Sequence, residues 1–222
     1  MSPSNHAVAF DIGGVLVDWD PRHLFRDVIP DEATREWFLH EVCHSEWNRR
    51  QDEGRPWAEA IAEAVGRHPE HEAWIRAYDE RWIETVRGVD DEVVAVVREL
   101  RAGGLPVYAL TNFSADKWAL SRERFDVLAE FDGVVVSGEE RITKPHERIY
   151  RILLERYGLT PERTFFTDDL DANVAGARAV GIDAERFVDA ATLRSQLMNR
   201  GLLPGTSDGG ARIVPVDDRS GV

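Results

Sequence analysis

Four runs along the chain are apolar at nearly every position: AVAFDI (7–12), LPVYALT (105–111), DGVVVS (132–137) and RTFFTD (163–168). Continuous apolarity, rather than strict alternation, predicts strands covered on both faces, as in a parallel sheet. Between and after these runs the period changes to helical, over 90–102 (DDEVVAVVRELRA), 115–123, 145–157 (PHERIYRILLERY) and 171–180. Pro161 and the glycines Gly103, Gly104, Gly158 and Gly181 supply the stops and turns. A fifth strand is expected near 184–188. Strands alternating with helices predict an α/β fold, a doubly wound Rossmann-like parallel sheet with function at the carboxyl ends of its strands.

Residues 21–88 break this rhythm and read as helices only, at roughly 31–50, 56–66 and 69–86. Trp74, Tyr78 and Trp82 recur every four residues, on one helix face. Five of the seven tryptophans (Trp37, Trp47, Trp57, Trp74 and Trp82) fall in this segment. The pattern predicts an all-helical cap (21–88) inserted between two parts of a Rossmann-like core (1–20 and 89–200). Most of its aromatics are expected in the cap's own core, with one or two lining a pocket. The end, 201–222, is rich in Gly, Pro, Asp and Ser and is expected to be a flexible tail, with a short extended piece at ARIVPV.

A length of 222 residues suits a core plus an insert. The net charge of −14 argues against nucleic acid and anionic membrane as partners. A small anionic substrate stays admissible, because one local cation inverts the field inside a pocket. Cys43 is the single cysteine, so no disulfide forms within the chain. MSPSNHAVAF has no basic and apolar leader pattern, and no apolar stretch is long enough to span a bilayer. A cytoplasmic location is therefore expected. Nothing in the sequence signals an oligomeric state.

Candidate chemistry sits at the predicted strand ends. Asp11 closes the first and is followed by Gly13 and Gly14; Thr111 and Asn112 close the second; Asp168 and Asp169 close the fourth. Lys144 stands just before a helix start. Core packing gives such residues no role. Together FDIGGVL, ALTN, KP and FFTDDLDANVAGARAVG resemble the haloacid dehalogenase-like hydrolase superfamily, in the branch with a helical cap between the first and second motifs. The resemblance covers about 7–190. It implies that Asp11 is the nucleophile, that Thr111 and Lys144 hold the transferred group beside Asn112, and that Asp11, Asp169 and the backbone carbonyl of Gly13 bind Mg2+. Aligning Asn173 and the GARAVG helix selects Asp169 over Asp168, leaving Asp168 as a neighbour within reach of the metal, directly or through water.

The residue chemistry agrees with those roles. A carboxylate attacking phosphorus gives an aspartyl-phosphate and splits one displacement into two. Magnesium takes oxygen ligands from one or two carboxylates and from the phosphate. A fixed lysine and a threonine hydroxyl stabilise charge on the transferred group. The paired glycines let the backbone turn sharply beside the ligand.

One position departs from the pattern. Most phosphatases of the superfamily carry an aspartate two residues after the nucleophile, which protonates the leaving oxygen and then activates water; here that residue is Gly13. General acid–base help is worth about 10²–10⁴-fold. Either turnover is slow, or another group substitutes, or the leaving group needs no proton. Asp18 and Asp20 are the acids nearest in sequence. Family dehalogenases also lack that aspartate; they attack carbon, release halide and use no magnesium. Their fourth motif is rich in serine and asparagine where this chain has Asp168 and Asp169. Two acids beside an attacking carboxylate need a cation between them, since bare carboxylates raise one another's pKa. This favours a Mg2+-dependent phosphatase of a small phosphorylated metabolite over a 2-haloacid dehalogenase. A catalytically weak binding protein is the third reading that Gly13 admits.

Two cap motifs carry less. HEVCH (40–44) matches the zinc-protease pattern, but no third histidine follows at a suitable spacing, and it lies away from the strand ends. RRQDEGRPW (49–57) offers Arg49, Arg50 and Arg55 as selectors of an anionic substrate, or simply as a solvated turn.

Overall fold

The computed structural model describes residues 6–204. Seven strands form among them: β1 (Ala7–Phe10), β2 (Val17–Trp19), β3 (Val86–Val89), β4 (Val107–Thr111), β5 (Gly133–Val136), β6 (Thr164–Asp168) and β7 (Asp183–Arg186). Five of them make one parallel sheet in the order β5-β4-β1-β6-β7. The four apolar runs and the expected fifth strand are these five.

The sheet is buried on both faces because successive side chains point to opposite sides. On β1, Val8 and Phe10 join one apolar cluster while Ala7 and Ala9 join the other. β4 divides likewise, with Val107 and Ala109 on one face and Tyr108 and Leu110 on the other. The cap helices are α1 (Arg22–Val28), α2 (Glu32–Trp37), α3 (Ser45–Asp52), α4 (Trp57–Arg67) and α5 (Glu72–Glu80). The core helices are α6 (Asp91–Ala102), α7 (Ala115–Arg124), α8 (Ser137–Glu140), α9 (Glu147–Tyr157), α10 (Asp171–Ala179) and α11 (Ala190–Asn199). Leucines and valines of α6 and α11 cover the first face, and α9 and α10 cover the second.

After β1 the chain winds outward to β4 and β5, then crosses back to β6 and β7 on the other side. The winding reverses between β1 and β6, and such a switch point opens a crevice at the strand carboxyl ends. Asp11 follows β1 there, and Asp168 and Asp169 end β6.

Residues 22–85 are helical apart from short connections. Their aromatics pack together: Tyr78 lies 5.8 Å from Trp47, 5.5 Å from Trp57 and 5.3 Å from Phe25, ring centre to ring centre. These residues are continuous with the cluster under α6, so the cap shares its apolar core with the sheet domain.

The sequence reading differs from the structure chiefly within the cap segment. The expected helix over 31–50 is broken: α2 runs into a π-helical turn (Phe38–Val42), and α3 starts afresh with His44 as its cap, accepting from Trp47 N at 3.2 Å. The expected helix over 69–86 is a 3-10 turn, α5, a second 3-10 turn (Trp82–Thr85) and then β3. Residues 86–88 of the expected all-helical segment are thus strand. β3 pairs antiparallel with β2, so the chain leaving the sheet domain for the cap lies against the chain returning from it. The β-branched Val86 and Val89 with Gly88 between them find an extended partner in VDW, which overrides the helical period. The expected tail lies outside the described residues from 205 onward, including ARIVPV; Leu203, before that point, is buried.

Candidate active site

β1 delivers Asp11 into the crevice with its backbone fixed, because Asp11 N donates to Thr167 O of β6 at 2.9 Å. Its Oδ1 accepts from Ile12 N at 2.7 Å and faces Lys144 Nζ at 2.8 Å. Lys144 Nζ also donates to Asp168 Oδ2 at 2.7 Å, and the lysine is buried. The chain holds this lysine from two directions. Lys144 N donates to Asn112 Oδ1 at 2.8 Å, and Asn112 Nδ2 donates back to Lys144 O at 3.1 Å. Gly176 of α10 lies so close to the next residue that a Cβ there would stand 2.6 Å from Pro145 O.

The acid pair divides its work. Asp168 is fully buried; Oδ1 accepts from Leu170 N and Asn173 Nδ2, both at 2.9 Å, while Oδ2 takes the Lys144 ammonium. Asp169 is only partly buried and lies over Gly14. Gly14 has φ +73°, and a Cβ there would come within 2.7 Å of Asp169 Oδ2. This position therefore requires glycine both for its left-handed backbone and for the carboxylate above it. Gly13 is different, since a Cβ there meets nothing within 4 Å and its φ is not left-handed.

Carboxylate oxygens of Asp11, Asp168 and Asp169 all lie within 4.8 Å of one another, the one such group of potential metal ligands among the described residues. Burial pushes Asp11 up to about 8; Lys144 opposes this and Asp168 adds to it. Asp169 is raised as well, by burial and then by Asp168. Burial would depress Lys144, but Asp11 and Asp168 outweigh it and keep the ammonium charged. Two buried carboxylates on one ammonium, with the half-buried Asp169 beside them, leave negative charge uncompensated. An all-oxygen donor set of this kind fits a hard divalent cation.

Thr111 ends β4 and is buried; the register of Phe10 opposite Ala109 sets it level with the residues just after β1. Asn112, expected to touch substrate, has both ends of its amide engaged on the Lys144 backbone, so it holds the lysine loop. Asp18 and Asp20 do not fill the place of the missing acid. Asp18 is exposed and pairs with His23 at 3.0 Å, and Asp20 accepts from Arg22 N at 2.8 Å at the start of α1. In HEVCH, His40 is exposed beside Glu41 and His44 caps α3, so the two histidines form no metal site. Arg49 pairs with Glu46 and Glu53, and Arg55 with Glu63, all within the cap, while Arg50 is exposed.

A cavity of about 60 Å³ opens beside Gly13, room for a few water-sized groups. Trp19, Trp57, Trp82 and Phe113 form its apolar walls. Trp57 Nε1 donates to Ser114 Oγ at 2.9 Å and ties the cap wall to the core. Asp52, the last residue of α3, also faces it, next to Asn48. Sequence reasoning missed Asp52, whose only signal was a place in a charged turn that resembled many others.

The family model for haloacid dehalogenase-like hydrolases matches residues 6–181. The chain belongs to this family. It is a haloacid dehalogenase-like hydrolase with the family's Rossmann-like core. The sesquiterpene phosphatase astK of Aspergillus oryzae is 27% identical over 184 residues, covering 83% of this chain and 90% of that protein. In fold, the chain resembles a HAD family enzyme of Bacteroides thetaiotaomicron solved with magnesium and inorganic phosphate (TM-score 0.66, 22% identity, 85% of this chain and 98% of that one). It also resembles the L-2-haloacid dehalogenase of Xanthobacter autotrophicus, solved with chloropropionic acid covalently bound (TM-score 0.60, 20% identity, 90% and 84% covered).

Proposed function

We propose that this hydrolase is a Mg2+-dependent phosphatase of a small phosphorylated metabolite, acting through an aspartyl-phosphate on Asp11. The observation that carries the reading is the cluster of Asp11, Asp168 and the half-buried Asp169, in which the single charge of Lys144 meets only the first two. Asp11, Asp169 and the Gly13 carbonyl would hold the ion. When bound, it supplies positive charge that offsets repulsion between an anionic nucleophile and an anionic phosphate. Asp11 attacks phosphorus, and the ester oxygen leaves. Lys144 steadies the equatorial oxygens, and the Thr111 hydroxyl adds a donor. Asp168 and Asn112 keep Lys144 in place from either side. The aromatic cap walls limit the room beside the reacting group, which favours small substrates. A phosphatase-named relative across 83% of the chain supports the same reading.

A dehalogenase would account for Gly13 but would leave the charges of Asp168 and Asp169 unbalanced. The test is phosphate release from a panel of monoesters with and without Mg2+, beside halide release from 2-haloacids. Mg2+-dependent phosphate release is the expected result; halide release indifferent to Mg2+ would overturn it.

A further inference from the structure

The cavity beside Gly13 contains an acid that the mechanism so far leaves unused. Asp52 closes α3 in the cap and lines that cavity, where it accepts from the Ser114 backbone N–H of the sheet domain. Gly13 lines the same cavity, and the space where its side chain would start is open. Asp52 and a side chain at position 13 would thus share one cavity. Asn48 Oδ1 and Trp19 Nε1, on two residues that line the cavity, are buried without a hydrogen-bond partner among the described residues.

We infer that Asp52 is the general acid and base of this enzyme, reaching from the cap to the leaving oxygen and replacing the aspartate absent at position 13. The inference rests on the phosphatase reading above. In the first half-reaction the Asp11 oxygen bonds to phosphorus and the bond from phosphorus to the ester oxygen breaks. The Asp52 carboxyl gives its proton to that oxygen, releasing an alcohol. In the second, water attacks the phosphorus of the aspartyl-phosphate, Asp52 takes the proton of the water, and phosphate leaves with Asp11 restored as carboxylate. Atoms and protons balance over the cycle, and Asp52 ends protonated as it began.

The surroundings of Asp52 suit this task. Burial raises it to about 7, so a fraction of each protonation state is present near neutrality. The Ser114 backbone N–H and Arg49 pull the other way, while Glu53 adds to the rise. Asn48 Nδ2 stands 3.4 Å from Asp52 Oδ2 and steers the carboxyl. Because the acid belongs to the cap, the active site is complete only when the cap is seated on the sheet domain.

The test compares 4-nitrophenyl phosphate, whose leaving group needs no proton, with an alkyl phosphate, whose leaving group does. Wild type, Asp52→Asn and the double variant Gly13→Asp/Asp52→Asn are assayed with Mg2+, with thermal melts to verify folding. Asp52→Asn should cut alkyl phosphate turnover by about 10²–10⁴-fold and aryl turnover far less. The double variant should return most of the lost ratio, because the Gly13 backbone and the space around it admit a side chain. Equal losses on both substrates, or none on either, would overturn the role of Asp52 while leaving the phosphatase intact. Absence of phosphate release by wild type from either ester would overturn the phosphatase reading and this inference with it.

Discussion

At the scale of single residues, the site depends on which acid is free. Asp11→Asn should abolish turnover with the fold intact, since the change is nearly isosteric and an amide is a poor nucleophile; steady-state phosphate release and a thermal melt check both halves. Asp168 and Asp169 are adjacent, yet they should fail differently. Asp169 is partly exposed and makes no side-chain ion pair among the described residues, so Asp169→Ala should raise the Mg2+ needed for half-maximal activity with little change in Tm. Asp168 is the buried partner of Lys144 and Asn173. Asp168→Ala should therefore destabilise by about 1–3 kcal/mol, because the buried Leu170 N–H and Asn173 amide lose their acceptor while Lys144 keeps Asp11. Urea unfolding combined with Mg2+ titration separates the two. Gly14→Ala should be inactive, since its Cβ would come within 2.7 Å of Asp169 Oδ2 from a backbone at φ +73°.

Among the elements, the connection from α3 to α4 seats the cap on the sheet domain. Gly54 lies in it at φ +89°, and a Cβ there would stand 2.9 Å from Gly138 O and from the Arg141 side chain. At Gly138 a Cβ would in turn stand 2.8 Å from Phe113 O, one residue beyond Asn112. These two close approaches connect the cap turn, the loop after β5 and the loop after β4 in series. Gly54→Ala should lower stability by about 1 kcal/mol or more and loosen this contact. The expected kinetic sign is a larger effect on kcat with alkyl phosphates than on the melt, because Asp52 is two residues away.

Across the whole molecule, the seated cap makes stability depend on pH. Asp52 titrates at about 7 in the fold against 3.8 for the ordinary carboxyl. Between these values the folded chain binds more protons than the unfolded one, so stability falls as pH rises. The contribution is complete below the unfolded value and is lost as pH climbs through the folded one. Asp52→Asn cannot ionise, so its advantage over wild type should be small near pH 4 and grow towards a ceiling of about 4 kcal/mol by pH 8. Unfolding of both proteins at several pH values, without Mg2+, measures the difference. A cap that only touched the surface would leave Asp52 hydrated and the two curves parallel.

The sequence by itself determined the five parallel strands, because burial on both faces writes itself as unbroken apolar runs such as VAF and VYAL. It also determined which strand ends carry Asp11, Thr111, Asp168 and Asp169, since a polar residue closing such a run is local information. The tertiary structure alone decided what depends on distant segments meeting. β3 became a strand because β2 lay beside it, at the end of a segment that read as helical. Asn112 joined the Lys144 backbone, 32 residues away, by two hydrogen bonds. Asp18 and Asp20, close to Gly13 in the chain, engaged His23 and Arg22. Asp52, far from Gly13 in the chain, came to face the same cavity because the cap folds back over the switch point of the sheet. Sequence neighbours share a backbone direction; cavity neighbours share only the space that packing leaves.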